Sequence, residues 1–220
     1  MSDLAAFVRD TLGHEPGDVA LFERALTHSS LNRDSYERLE FLGDRVLGLI
    51  VGRWLYERFG AEPEGQLSRR YNALVAREVC AEIGRELGVP ALIRLGKQAR
   101  GDGASDSDNV VGDVVEALIG ALMLDGGIDA AEAFVRRAWG PRVDRQGRAP
   151  VHSKSALQEL AAARGLATPA YQVVARTGAQ HAPRFTVRVA IRNAGEAEGH
   201  GSSKQEAETA AATALLEKLA

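Results

Sequence analysis

One cysteine, Cys80, is all the thiol this chain of 220 residues carries. It excludes an internal disulfide and any thiolate metal site, and fits a reduced compartment with a small buried thiol. Long apolar runs are also missing. The longest, VLGLIVG at 46–52 and VVEALIGALML at 114–124, fall short of the roughly 20 residues a membrane span needs, and Glu116 interrupts the second. The first residues, MSDLAAFVRD, lack the basic start and apolar core of a secretory signal, so the expected location is the cytoplasm. A strong basic excess is absent too. The net charge is -3, with 19 lysines and arginines against 24 acids up to Pro150 and 8 against 6 from Val151 onward. The tail is mildly basic and the front acidic, and charge alone identifies no nucleic-acid partner.

Strand-like alternation is lacking in the front part, where apolar residues recur at helical spacing. Leu4, Phe7 and Val8 mark one helix, Val46, Leu47, Ile50 and Val51 a second, and Leu74, Val75, Val79 and Ile83 a third. Val110 to Leu124 is apolar on nearly all sides and should be a central helix. Gly60, Gly65, Gly88, Pro90 and the polar run GDGASDSDN punctuate these helices. An all-α domain over 1–139 is expected, followed at 140–152 by an exposed linker, GPRVDRQGRAPVH, without periodicity. Residues 153–220 then read α-β-β-β-α. SKSALQELAAARG is helical, AYQVVAR strand-like, and RFTVRVAIR alternates with Phe185, Val187, Val189 and Ile191 on one face. GEAEG makes a short third strand, and Ser203 with Glu206 forms a capping box for a last helix.

The stretch YERLEFLGDRVLGLIVG concentrates the chemistry. At 100° per residue Glu37, Glu40 and Asp44 fall within roughly 60° of one another, and Gly48 extends that stripe with no side chain, so another helix or a substrate can come close. GDVVEALIGA repeats the design with Asp113, Glu116 and Gly120, but here Val114, Val115, Ala117, Leu118, Ile119 and Leu122 leave no other polar face. Unpaired buried carboxylates cost several kcal/mol each, so something positive must meet them. A salt-bridge cluster using Arg38, Arg45 or Arg53 is one answer. A divalent cation is the other: the donors are hard oxygens, and no histidine lies at helical spacing from these five acids, which suits Mg²⁺ or Mn²⁺ rather than zinc. A magnesium ion that keeps several waters is a means of activating water against a phosphodiester.

ERLEFLGD at 37–44, ALTHSS at 25–30, PEGQLS at 63–68 and GDVVEALIGALMLDGG at 112–127 resemble, block by block and in order, the bacterial ribonuclease III catalytic domain. The resemblance implies an all-helical endonuclease domain that dimerises and cleaves double-stranded RNA with Mg²⁺, leaving 5′-phosphate and 3′-hydroxyl ends with short 3′ overhangs, and that processes ribosomal RNA precursors and other structured RNAs. No DNA partner is expected. By motif, Glu40, Asp44, Asp113 and Glu116 would be the metal-site carboxylates, with Asp44 and Glu116 most tied to catalysis. Glu37 and Glu64 match two further acids of the family and are placed with the catalytic residues, with service to the dimer or the RNA as the alternative. Phe41 lies beside the acidic stripe, where a monomer would expose it, and is read as a homodimer contact. His28 lacks a nucleophile elbow and reads as a packing or hydrogen-bonding histidine rather than part of a Ser/His hydrolase.

The tail resembles a double-stranded RNA-binding domain, a reader of A-form shape. The resemblance places Lys154, Gln158 and Glu159 of the first helix, His181 and Arg184 of the β1–β2 region, and Ser202, Ser203 and Lys204 at the last helix N-terminus against RNA. Gln205 stands where the family has a second lysine, and Ala182 and Pro183 where basic residues are common, so the isolated tail should bind weakly. A regulator that binds structured RNA without cutting it is the competing reading. The complete carboxylate set, which a pure binder could lose, argues for the nuclease.

Overall fold

The computed structural model describes residues 2–147, 149–150, 153–179 and 182–219. The chain divides between Pro150 and Val151 into two units, each with its own core.

The front unit is helical. Its main elements are α1 (Ser2–Phe7, continued by a π-helical turn over Val8–Leu12), α2 (Val19–Ala25), α3 (Glu37–Arg58), α4 (Glu64–Leu74), α5 (Arg77–Glu86), α6 (Lys97–Gly101) and α7 (Asp108–Arg145). The central helix expected over Val110 to Leu124 forms the first limb of α7, with Val111, Val114, Val115, Leu118, Ile119 and Leu122 fully buried. Helices α3 and α7 meet backbone to backbone. A Cβ on Gly43 would fall 1.7 Å from the Glu116 carbonyl, and one on Gly120 would fall 2.2 Å from the Leu39 carbonyl. Only glycine fits at such a crossing. Gly48, expected to admit a helix or a substrate, faces helix α4, whose Tyr71 hydroxyl lies 2.6 Å from where its Cβ would be.

Two boundaries differ from expectation. Leu74 and Val75 end α4 rather than joining Val79 and Ile83 in one helix: Ala76 is extended, and the freed Leu74 carbonyl accepts a 2.9 Å bond from the buried Trp139 Nε1. A distant indole replaces the helical partner. Residues 140–145, assigned to the linker by their proline and glycine, are helical. Pro141 costs this limb one backbone bond, but Ala131, Phe134, Val135, Trp139 and Val143 form a buried stripe at helical spacing that holds it in place. The two limbs of α7 meet at Gly127, whose φ of 74° only glycine adopts readily. Just before the kink, Asp125 accepts bonds from the Gly17 and Asp18 amides and pairs with His14 at 2.7 Å, which ties the start of the chain to α7.

The second unit is α8 (Ser153–Ala163), β1 (Ala170–Ala179), β2 (Ala182–Ile191), β3 (Gly195–Gly201) and α9 (Lys204–Leu219), with an antiparallel sheet in the order β1-β2-β3. The alternation of β2 is realised: Val187, Val189 and Ile191 are buried, while Arg188 points outward to Glu198. Both helices cover the apolar face through Leu157, Ala161, Ala207, Ala211 and Leu215. Gly199 of β3 lets α9 lie on the sheet, since a Cβ there would fall 2.1 Å from the Ala211 nitrogen.

Candidate metal centre and nucleic-acid interface

The glycine crossing of α3 and α7 determines which acids meet. Glu40 precedes Gly43 by three residues, and Asp113 and Glu116 lie on the adjoining turns of α7. Each of these three offers a carboxylate oxygen, and the three oxygens lie within 4.8 Å of one another. All three residues are half-buried. Burial, followed by the charges of Asp113 and Glu40, pushes the Glu116 carboxyl up to about 7. Asp113 and Glu40 are also raised, by burial first. Three anions thus share a partly dry pocket with too little positive charge, an arrangement suited to a hard divalent cation.

Asp44 is not brought into this cluster. Its carboxylate pairs with Arg45, its neighbour on α3. Arg45 offers Asp44 a countercharge toward solvent, away from three other anions. Glu37 is exposed, near enough to raise Glu40 and Tyr36 by its charge. Glu64 opens α4, exposed, and accepts a 2.6 Å bond from the Ser68 hydroxyl rather than joining the trio. Phe41 is 66% exposed beside the stripe, as read from its position, with the Arg45 guanidinium 5.4 Å from its ring centre. A cavity of about 750 Å³ next to it is lined by Arg33, Glu37, Arg38, Phe41 and Leu124 among others. Of the arginines named for a salt-bridge cluster, Arg53 pairs with Glu132 and Glu57, and Arg45 pairs with Asp44 while also lowering Glu116 by its charge.

Three residues were not assigned to the site from sequence, although Cys80 was read as a buried thiol. Tyr36 hydrogen-bonds Asp113, and burial together with that carboxylate raises its phenol. Its signal was available, because Tyr36 lies only about 40° from Glu40 on a helical wheel. Cys80 of α5 is fully buried with Sγ 4.0 Å from a Glu116 oxygen, and burial pushes its thiol up to about 12. Arg77 of α5 lowers all three acids of the trio by its charge. Nothing local in the sequence announces these two, since α5 reaches α7 only through the tertiary fold. His28 is a packing and hydrogen-bonding residue: Nδ1 accepts from the Ser30 amide at 3.0 Å and the ring lies edge-on to Tyr36.

In the second unit, both lysines assigned to RNA are engaged by Glu208. Lys154 donates to Glu208 at 2.5 Å and stands 5.1 Å from the Tyr171 ring centre, while Lys204 reaches the same Glu208 at 3.7 Å. Gln158 and Glu159 are exposed on α8. Ser203 caps the Glu206 amide at 3.1 Å, and the Glu206 carboxylate accepts in return from the Ser203 backbone amide as well as from the amide and hydroxyl of Ser202, which completes the capping box. Arg184 is exposed and lines a cavity of about 750 Å³ with Thr177, Phe185, His200 and Ser202. His181 lies outside the described residues.

An acid-centred helical domain joined to an α-β-β-β-α module has the plan of a two-part nuclease, and comparison supplies the family. Residues 18–143 match the family model described as Ribonuclease-III-like, and residues 153–219 match the double-stranded RNA binding motif. The chain is 57% identical over 215 residues to Ribonuclease 3 of Zymomonas mobilis, covering 98% of this chain and 87% of that protein. It is 45% identical to Ribonuclease 3 of Rhodobacter capsulatus over 99% of this chain and 96% of that one. Among solved structures, the nuclease domain of ribonuclease III from Campylobacter jejuni, described as having a region involved in dimer formation, superposes with a TM-score of 0.59 at 34% identity. That superposition covers 60% of this chain and 93% of that domain. The chain belongs to the ribonuclease III family: it is an endoribonuclease with a double-stranded RNA-binding domain. No helix among the described residues is long and apolar enough to cross a membrane.

Proposed function

We propose that this protein is a homodimeric, Mg²⁺-dependent endoribonuclease of the cytoplasm that cleaves double-stranded RNA, each subunit cutting one strand. Mn²⁺ substitutes for Mg²⁺. The products carry 5′-phosphate and 3′-hydroxyl ends with short 3′ overhangs, and ribosomal RNA precursors and other structured RNAs are the substrates that the family reading implies.

The observation that carries this reading is the Glu40, Asp113 and Glu116 trio, raised in pKa and short of positive charge. These residues would hold the cation, with Asp44 as a fourth acid one helical turn from Glu40. When bound, the cation supplies Lewis-acid charge at the phosphate and a lowered pKa for attacking water. The chain's own groups do the rest. Water gives up a proton and adds to phosphorus in line with the 3′ oxygen, whose bond to phosphorus breaks and which takes up a proton to leave as the 3′-hydroxyl, so the phosphate stays on the 5′ side. Tyr36 fixes the Asp113 carboxylate by its hydroxyl, and the Cys80 thiol beside Glu116 keeps one flank of that carboxyl dry. Glu37 and Glu64 serve the RNA or the dimer rather than the trio. Phe41 and the cavity beside it supply an exposed apolar knob and a hollow, a pair suited to a two-fold contact. In the second unit Gln158, Glu159, Arg184 and Lys204, with Lys154, Ser202, Ser203 and the region of His181, meet the minor groove and backbone of the duplex.

Cleavage of a long perfect RNA duplex with and without Mg²⁺, by wild type and Glu116→Gln, tests the reading. Cutting that needs both the metal and Glu116, with binding retained in the variant, supports it. Retained binding with no cutting by wild type in Mg²⁺ or Mn²⁺ would replace the nuclease with an RNA-binding regulator.

A further inference from the structure

Arg77 opens α5 and is the cation that acts on every member of the acidic trio. Its setting differs from that of the other arginines near the site. Arg45 is paired with Asp44, and Arg53 with Glu132 and Glu57. The side-chain hydrogen bond of Arg77 goes instead to a neutral group: Nη1 donates to Asn109 Oδ1 at 3.0 Å. Asn109 lies four residues before Asp113 on α7 and so on the same helical face, one turn from the trio. The stem is held as well. Gly112 sits under it, and a Cβ there would fall 3.1 Å from Arg77 Cγ and 3.2 Å from the Arg77 carbonyl. The result is a guanidinium positioned at the rim of the acids, exposed, anchored by one nitrogen, and keeping most of its donors for another partner.

A merely structural arginine at this place would complete a salt bridge with a carboxylate, and three are close by. A substrate-facing one would be anchored by a neutral amide, which leaves guanidinium donors for another partner. The substrate of this family is a polyanion that must approach three carboxylates, so a fork-shaped cation on the rim meets the electrostatic need. We infer that Arg77 binds a backbone phosphate of the RNA duplex next to the bond that is cut. This rests on the nuclease reading above and adds to it a residue that contacts substrate, supplied by α5 rather than by the helices that bear the acids.

The test uses the full chain with Arg77→Gln and Arg77→Lys. Steady-state cleavage gives KM and the Mg²⁺ concentration at half-maximal rate. Duplex binding, measured without Mg²⁺ across a salt series, gives the slope of log affinity on log salt. Loss of one phosphate contact should raise KM about 5- to 50-fold in Arg77→Gln and reduce the salt slope by about 1, with part of the KM restored by lysine. The Mg²⁺ requirement should stay the same or fall, since a competing cation has gone. Wild-type KM and salt slope in Arg77→Gln, with only a lowered Mg²⁺ requirement, would make Arg77 a counter-ion of the acids and overturn the inference. Wild-type protein that does not cut at all would sink the nuclease reading, and the salt slope, which needs no turnover, would still decide whether Arg77 touches phosphate. Arg77 is exposed, so equal melting temperatures of the variants and wild type are expected to show that folding is intact.

Discussion

The two units treat their carboxylates in opposite ways. In the front unit, burial raises Glu40, Asp113 and Glu116 with no adequate countercharge. In the second, Ser202 lowers Glu206 by hydrogen bonding, and Lys154 lowers Glu208. Acids of the first kind store negative charge at a cost to the fold, and acids of the second kind hold elements together. The same contrast runs inside the front unit, where Arg70 lowers Glu62 and Arg142 lowers Glu86. The raised acids are those that face one another in the half-buried trio, and the lowered ones are those that meet a guanidinium, an ammonium or a hydrogen-bond donor.

Substituting one acid of each kind should break this comparison most visibly. Glu116→Gln is expected to lower the cleavage rate by roughly 10²–10³-fold or more, the scale of removing one charged group from an active site. Melting of the metal-free protein near pH 8 should rise in the same variant, because a repelled anion is gone. Glu206→Gln should leave the rate on a saturating duplex close to wild type. A rate assay and a thermal melt in EDTA check both halves.

The glycine crossing comes next. Gly43→Ala puts a methyl group where only 1.7 Å is open to the Glu116 carbonyl, so α3 and α7 must separate and the trio with them. A loss of about 3 kcal/mol or more in denaturant unfolding is expected, the upper range of overpacking. Wild-type stability in this variant would contradict the packing described for the site.

pH sharpens the contrast further. A carboxyl whose folded pKa exceeds its unfolded value holds more protons folded than unfolded between the two, so stability falls as pH rises through that window. For Glu116 the window runs from 4.5 to about 7. Wild type should therefore lose about 1–3 kcal/mol relative to Glu116→Gln between pH 4.5 and 8 in EDTA, a partly exposed group giving less than its full shift. Glu208 works the other way: its contribution is present above its unfolded value and lost as pH falls through its lowered folded pKa. Unfolding midpoints at pH 5 and 8 separate the two. The smallest effect belongs to Glu208→Ala, which releases Lys154 and Lys204 and should cost about 1 kcal/mol in a melt of the full chain.

How much of this was readable from the residues depended on whether the contact was local. Glu37, Glu40 and Asp44 share one helix, so their common face followed from helical spacing, as did the burial of Val114, Leu118 and Leu122. The alternation of Val187, Val189 and Ile191 gave β2 and its buried face. What escaped was set by elements meeting across the fold. Gly43 looks like any mid-helix glycine until α7 lies against it, whereas Gly48, which sits on the acidic stripe, turns out to face Tyr71. Arg77 and Cys80 reach the site only because α5 packs on α7. Spacing placed Asp44 on the Glu40 face and the family resemblance grouped it with Asp113 and Glu116, whereas its carboxylate pairs with Arg45. Pro141 and Gly140 read as a linker because composition outweighed the stripe from Ala131 to Val143, which holds the helix regardless.

Calorimetric titration of Mn²⁺ into the RNA-free protein, comparing wild type with Glu116→Gln and Glu208→Gln, tests the central claim most directly. Saturable binding is predicted for wild type and Glu208→Gln and its loss for Glu116→Gln. Equal binding by all three, or none by wild type, would contradict the assignment of the trio to a cation.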